Sequence, residues 1–220
     1  VHISENGLKL RQILELFSNL CSAVAHAHGK FILHRDIKPA NVLVDEAGSI
    51  RLIDFGIAAL LDEDDDDVGG PLTLAYAAPE QLRRESLSAA TDTFMLGVLL
   101  HDILTGAPPM RLESGAVKID DTALHNTDII QIVRKATSEK PSERYVSVDA
   151  LNDDVQAVLE KRPIAARRGH RLYRAARFFQ RFPVATLMGV GFVAALVAGI
   201  TSSLSFASQA HDEAERTKEA

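Results

Sequence analysis

The sequence predicts an α+β fold in which a mainly helical lobe with short β-hairpins is followed by a single membrane-crossing helix. Three observations carry this reading. Apolar side chains recur at spacings of three and four through residues 8–28, as one face of a buried helix requires. Short apolar runs at 42–44 and 50–53 flank a segment, Asp45, Glu46, Ala47 and Gly48, that suits a hairpin turn. No charged side chain occurs from 182 to 210.

Composition sets the outer limits. With 220 residues, 46% hydrophobic and 25% charged, the chain can bury one core and carry an appendage, and it lacks a disordered composition. The single cysteine, Cys21, excludes an internal disulfide framework, fits a reducing compartment, and sits on the apolar stripe of the first helix, where core packing is its expected role. The net charge of -6 hides a division. Residues 161–181 carry eight basic side chains and no acidic one, so an acidic globule is joined to a basic stalk. No basic face remains outside the stalk, and nucleic acid is not an expected partner. The first residue is Val1, with no signal-peptide pattern after it, and the start reads as a cut.

In chain order, Leu10, Ile13, Leu14, Phe17, Leu20, Cys21 and Val24 mark the inward face of the first helix, and Gly29 is expected to end it. Residues 31–33, 42–44 and 50–53 are read as strands. An acidic loop at 62–67 and Gly69, Gly70 and Pro71 lead into helices expected near 79–84, 91–104, 127–137 and 147–160.

Residues 183–206 are rich in Val, Ala, Leu, Gly and Ile, and suffice to cross ~30 Å of hydrocarbon as a helix. Gly189, Gly191 and Gly199 are common in such helices and Pro183 suits a first turn; a buried helix of a soluble domain is the alternative. The basic stalk precedes this span, whereas Arg216 and Lys218 after it are balanced by Asp212, Glu213, Glu215 and Glu219. By the positive-inside rule the lobe lies in the cytoplasm and the C-terminus outside, a single-pass arrangement in the inner membrane. Arg167, Arg168, Arg171, Arg174, Arg177 and Arg181 either hold anionic lipid headgroups, at about 1 kcal/mol each, or act only as topology signals. The expected organisation is a lobe over 1–160, a basic juxtamembrane segment over 161–182, a membrane helix over 183–206 and the start of an extracytoplasmic tail over 207–220.

The chemistry concentrates in one stretch. His34-Arg35-Asp36-Ile37-Lys38-Pro39-Ala40-Asn41 is followed, thirteen residues after Asn41, by Asp54-Phe55-Gly56 and then by Ala78-Pro79-Glu80. In this order and spacing they resemble the catalytic loop, metal-binding triplet and activation-segment end of the eukaryotic-like (Hanks-type) protein kinases. The resemblance runs over about 8–160, and "HRDIKPANVLVD" and "YAAPEQL" are most similar to bacterial serine/threonine members.

The resemblance implies the C-terminal lobe of the kinase fold and transfer of the ATP γ-phosphate to Ser or Thr hydroxyls of protein substrates. Phosphoryl transfer asks a protein to position a hydroxyl, hold Mg²⁺ and neutralise spreading charge. Asp36 would orient the hydroxyl and accept its proton, and Lys38 would steady the transferring phosphate. Asn41 and Asp54 would give hard oxygen ligands to Mg²⁺ beside ATP, and Gly56 would allow the turn that follows. Asp92 fits the aspartate that holds the catalytic-loop backbone from beneath, Glu80 and Arg144 a buried ion pair, His34 and Phe55 an internal stack, and Thr73 a contact to Asp36 and Lys38 near the substrate's next residue. His26, His28, His101, His125 and His170 lack metal-ligand spacing and are expected to be ordinary core or surface residues.

Residues between Gly56 and Thr73 include no Ser, Thr or Tyr, but do include Asp62, Glu63, Asp64, Asp65, Asp66 and Asp67. This run either substitutes for an activation-loop phosphate opposite Arg35 or is a solvated acidic loop. The 33 residues before His34 offer no glycine-rich phosphate loop, strand lysine or helix glutamate. The chain as given is therefore expected to lack turnover by itself. The competing reading is a non-catalytic, membrane-tethered binding module. Protein substrates and membrane lipid are the expected partners, with a second copy of the chain carried as a candidate.

Overall fold

In the computed structural model the residues described are 9–45, 48–55, 71–124 and 126–167, together with 173, 182, 186–189, 191–192 and 194–203. The chain divides into two compact units, residues 1–170 and 171–220.

The first unit runs α1 (Leu10–His28), β1 (Val42–Val44), β2 (Ile50–Leu52), α2 (Pro71–Tyr76), α3 (Pro79–Leu82), α4 (Ala89–Thr105), β3 (Met110–Arg111), β4 (Val117–Lys118), α5 (Asp121–Leu124), α6 (Thr127–Ala136) and α7 (Val148–Leu159). Its centre is α4, in which every residue from Thr91 to His101 is buried. A helix buried all round needs firm ends. Ser88 accepts the Ala90 N–H at the start, and Gly106 at φ 84° closes the other end in the left-handed region. Gly97 lets α6 come close: a Cβ there would lie 2.7 Å from the Ala136 Cβ and 2.8 Å from the Thr137 Cγ2.

Against this core α1 lays the predicted stripe, with Leu14, Phe17, Leu20, Cys21 and Val24 all buried. Burial pushes the Cys21 thiol well above its ordinary pKa, which keeps it an inert packing group. Polar side chains also join α1 to α7. Ser18 donates to Asn152 at 2.7 Å and accepts from Gln156 at 2.6 Å, so their burial is compensated.

Two antiparallel pairs complete the unit. Val42 faces Leu52 and Val44 faces Ile50 in the first, with Gly48 at φ 79° in the turn; Met110 faces Lys118 in the second. The first is the expected hairpin, although Ile53 lies outside its strand and Glu46 and Ala47 lie outside the described residues.

The helices at 79–84, 91–104, 127–137 and 147–160 appear within one or two residues of expectation, apart from the shorter α3. The expected strand at 31–33 does not form. Gly29 ends α1 as expected, capping it after His28, although at φ −61° it is not left-handed. Phe31 takes that conformation instead, at φ 60°. Its N–H bonds the His28 carbonyl at 2.9 Å and the Ile32 N–H bonds the Ala27 carbonyl at 3.0 Å, so the last turn of α1 draws in the residues that read as a strand. Sequence reasoning also missed α2, α5 and the β3–β4 pair, all too short to show a period.

Residues 161–167 continue along the lobe. Ile164 is buried, the Ala165 and Ala166 N–H groups donate to the buried Asp154 carboxylate, and Arg167 pairs with Asp128 at 3.0 Å.

In the second unit the described helix α8 (Thr186–Ser203) has a mean hydropathy of 1.7 over 18 residues, long and apolar enough to cross a membrane by length and composition. Pro183 and residues 204–206 lie outside the described residues.

Candidate active site

The site starts from a carboxylate placed beneath a loop. Asp92, in the first turn of α4, is fully buried. Its Oδ2 accepts the His34 N–H and its Oδ1 the Arg35 N–H, both at 2.8 Å, and His28 Nε2 lies 2.7 Å from Oδ2. A buried carboxylate with this many donors is satisfied and fixes the backbone it holds. Arg35 sits at φ 66°, a conformation uncommon for a side-chain-bearing residue, which the two flanking contacts help to hold. Gln81 secures the loop from the other side. Its Nε2 donates to the Arg35 carbonyl and its Oε1 accepts the Ala78 N–H, each at 2.8 Å.

The next residues wind into a short 3₁₀ turn, Pro39–Asn41, which brings three of the predicted residues together. Asn41 is buried and donates through Nδ2 to both the Asp36 carbonyl, at 2.8 Å, and Asp36 Oδ2, at 2.9 Å. Lys38 Nζ reaches the same Oδ2 at 2.8 Å. One carboxylate oxygen is thus held by an amide and an ammonium. The other, Oδ1, accepts no hydrogen bond among the described residues. Ile37 anchors the loop between them, fully buried, with its N–H directed at Met95 Sδ at 3.3 Å.

Asp54 arrives from β2. The preceding residue, Ile53, donates its N–H to the Asn41 carbonyl at 3.0 Å, and its carbonyl lies 3.0 Å from His34 Nε2. Asp54 itself is exposed and stands at φ 55°. His34 receives the Asp36 N–H on Nδ1 at 3.3 Å, so Nε2 carries the hydrogen toward Ile53 and the ring is neutral. Burial lowers its pKa, outweighing the opposing pull of the Ile53 carbonyl, Asp92 and Asp36. The ring packs on Phe55 with centroids 4.7 Å apart and tilted by 41°.

Glu80 and Arg144 form the expected buried pair, at 2.7 and 2.8 Å through two parallel bonds. Burial by itself would raise the Glu80 carboxyl; the Arg144 guanidinium, with backbone and Thr91 donors, holds it below its ordinary pKa. Thr91 adds a third hydrogen bond at 2.9 Å, and Arg144 also donates to the Ala90, Ser138 and Glu139 carbonyls.

The Thr73 side chain, Gly56 and the acidic run at 62–67 lie outside the described residues. The Arg35 Nε atom is buried without a hydrogen-bond partner among the described residues. His28 and Gln81 were missed as parts of the site. His28 could have been found only through its position at the end of α1, since nothing local pairs it with Asp92.

Among the described residues no three His, Cys, Asp or Glu side chains are grouped to hold a metal unaided. Asn41 and Asp54 instead offer one amide and one carboxylate oxygen, hard donors of the kind Mg²⁺ accepts when phosphate oxygens and waters complete its shell.

Residues 2–169 match the protein kinase domain family. The chain is 34% identical over 177 residues to serine/threonine-protein kinase PrkC of Bacillus subtilis, an alignment covering 72% of this chain and 27% of that protein. It is 28% identical over 176 residues to serine/threonine-protein kinase PknB of Mycobacterium tuberculosis, covering 73% and 28%. To PknB of Mycolicibacterium smegmatis it is 30% identical over 166 residues, covering 68% and 27%. The chain thus spans little more than a quarter of the length of these relatives. The loop pinned by Asp92, the Asp36–Lys38–Asn41 cluster and the match over most of the chain lead to one assignment: the chain belongs to the protein kinase family, among the bacterial Hanks-type serine/threonine kinases.

Proposed function

We propose that residues 1–160 form the C-terminal lobe of a membrane-anchored serine/threonine protein kinase that moves the γ-phosphate of ATP to Ser or Thr hydroxyls of cytoplasmic proteins. The observation that carries the reading is the Asp36 carboxylate, with Oδ2 held by Asn41 and Lys38 and Oδ1 left unengaged among the described residues. A carboxylate oriented in this way suits a substrate hydroxyl.

Asp36 Oδ1 orients that hydroxyl and takes its proton as the oxygen bonds to the γ-phosphorus and the bond to the β-phosphate oxygen breaks, releasing ADP. Lys38, 2.8 Å from Asp36, neutralises charge spreading over the transferring group. Asn41 and Asp54 would hold Mg²⁺ through their side-chain oxygens, and the bound ion would supply positive charge to offset that of the nucleotide phosphates. Asp92 keeps the loop in register throughout.

The membrane anchor rests on α8, with the basic residues of 161–181 on its cytoplasmic side; Arg168, Arg171, Arg174, Arg177 and Arg181 are the ones offered to anionic lipid, since Arg167 pairs with Asp128. Residues 207–220 then begin an extracytoplasmic segment, and a second copy of the chain remains a candidate partner.

The test is ATP binding by the full-length protein with and without Mg²⁺. Binding should require Mg²⁺ and weaken at least tenfold in Asp54→Asn. Equal, Mg²⁺-independent behaviour of both proteins would favour a non-catalytic membrane-tethered module.

A further inference from the structure

The basic segment does not leave the lobe where α7 ends. Lys161, at φ 57°, turns the chain back, with its own N–H on the Val158 carbonyl at 3.2 Å and the Arg162 N–H on the Ala157 carbonyl at 2.7 Å. Ile164 is then buried, and Ala165–Arg167 wind into a short 3₁₀ turn. That turn opens on Asp154 of α7, a residue only 2% exposed. Asp154 Oδ1 accepts the Ala165 N–H at 2.5 Å and Oδ2 the Ala166 N–H at 2.9 Å, and Arg167 fastens the end of the strap to the buried Asp128 of α6.

Asp154 has a third donor, which faces the rest of the lobe. The Tyr145 hydroxyl donates to Oδ2 at 2.8 Å. Burial, and after it the Asp154 charge, pushes this phenol well above its ordinary pKa, so it stays a donor. Tyr145 directly follows Arg144, whose guanidinium holds Glu80 and the carbonyls of Ser138 and Glu139. Glu80 adjoins Gln81, the residue that donates to the Arg35 carbonyl beside Asp36. A simple tether needs no buried charge. A buried carboxylate is stable only while its donors stay in place. Lifting the strap removes two of its three donors among the described residues, and leaves the charge to draw on Tyr145 or to admit water.

We propose that residues 161–167 are a coupling strap: seated on Asp154, they hold the Tyr145–Arg144 turn and the Glu80–Gln81 turn in the active arrangement, and unseating them lowers phosphotransfer. This rests on the kinase reading above. Asp154 touches none of the reacting atoms and is a positioning residue. The strap joins the lobe to the basic residues that follow it, so displacement of that segment reaches the catalytic loop through one carboxylate.

The experiment uses the full-length protein with Ala165→Pro, which removes a donor to Asp154, Ala165→Gly, which keeps it, and Arg167→Gln, which opens only the far end of the strap. Transfer from Mg²⁺–ATP to myelin basic protein and amide hydrogen exchange are both read. Ala165→Pro should lower kcat about fivefold or more while KM for ATP moves less than about twofold, and Ala165→Gly should match the parent. Exchange should quicken at Ala166 and at Gln81 and stay unchanged within α4, which separates unseating from general loss of the fold. Arg167→Gln should give the same pattern in weaker form, and carries the test if Ala165→Pro does not fold. Tyr145→Phe combined with either should add little, since both act through the same carboxylate. Faster exchange at Ala166 with kcat and the Gln81 amide at parent values would overturn the proposal, as would additive losses with Tyr145→Phe. Absence of transfer by the parent protein would remove the kinase reading alone, and exchange at Gln81 would still decide the coupling.

Discussion

The Glu80 carboxylate and the Arg144 guanidinium meet through two parallel hydrogen bonds of 2.7 and 2.8 Å, with both side chains shut away from solvent. Removing either partner leaves a buried charge uncompensated. Arg144→Met is therefore expected to cost about 3–5 kcal/mol in urea unfolding, and Glu80→Gln with Arg144→Met less than the sum of the single losses. The Glu80 pKa is depressed in the folded protein, so its contribution is complete above the ordinary value of 4.5 and is lost as pH falls through the folded value. Glu80→Gln should flatten that acid limb of the stability curve.

Asp92 is expected to matter to activity without touching substrate. Asp92→Ala strands the His34 and Arg35 N–H groups, each at about 1–3 kcal/mol if left unpaired. Hydrogen exchange at these two amides should accelerate strongly, and phosphotransfer should fall with it. Asp92→Asn keeps one acceptor and should lie between.

His34 supplies a second pH dependence, of the same sign for a different reason. Its neutral ring is favoured by burial, so the folded pKa lies below the ordinary 6.5. The unfolded chain then binds the extra proton first. Stability from this group is complete above pH 6.5 and declines as pH falls below it, by no more than about 1.4 kcal/mol per pH unit. Thermal unfolding between pH 7 and 5 should show the slope, and His34→Gln should remove it.

Lys38 should behave as a charge stabiliser. In the full-length kinase, Lys38→Met should lower kcat by about 10²–10³ with a much smaller change in KM for ATP. A loss confined to KM would assign it to ground-state binding.

Much of this site was legible because it is local. Asp36, Lys38 and Asn41 lie within six residues, and the 3₁₀ turn that joins them is written in Pro39. The inward stripe of α1 was legible by period, and α4 by its apolar density. What escaped depends on distance along the chain or on very short elements. Nothing near His28 announces Asp92, 64 residues away, and Gln81 reaches back 46 residues to Arg35. Phe31 misled because a β-prone aromatic stands just past the Gly29 cap, where the chain leaves the helix through a left-handed turn that usually takes glycine. The β3–β4 pair has two residues per strand, so it could be seen only after the chain had folded around it.

In the proposed reaction Asp36 serves as the base that orients a protein hydroxyl. The most direct test is transfer of labelled γ-phosphate from Mg²⁺–ATP to seryl and threonyl residues by the full-length protein, compared with Asp36→Asn. Label should appear on Ser and Thr, and Asp36→Asn should lose at least a hundredfold in transfer with ATP binding retained. Transfer by Asp36→Asn at the parent rate would contradict it.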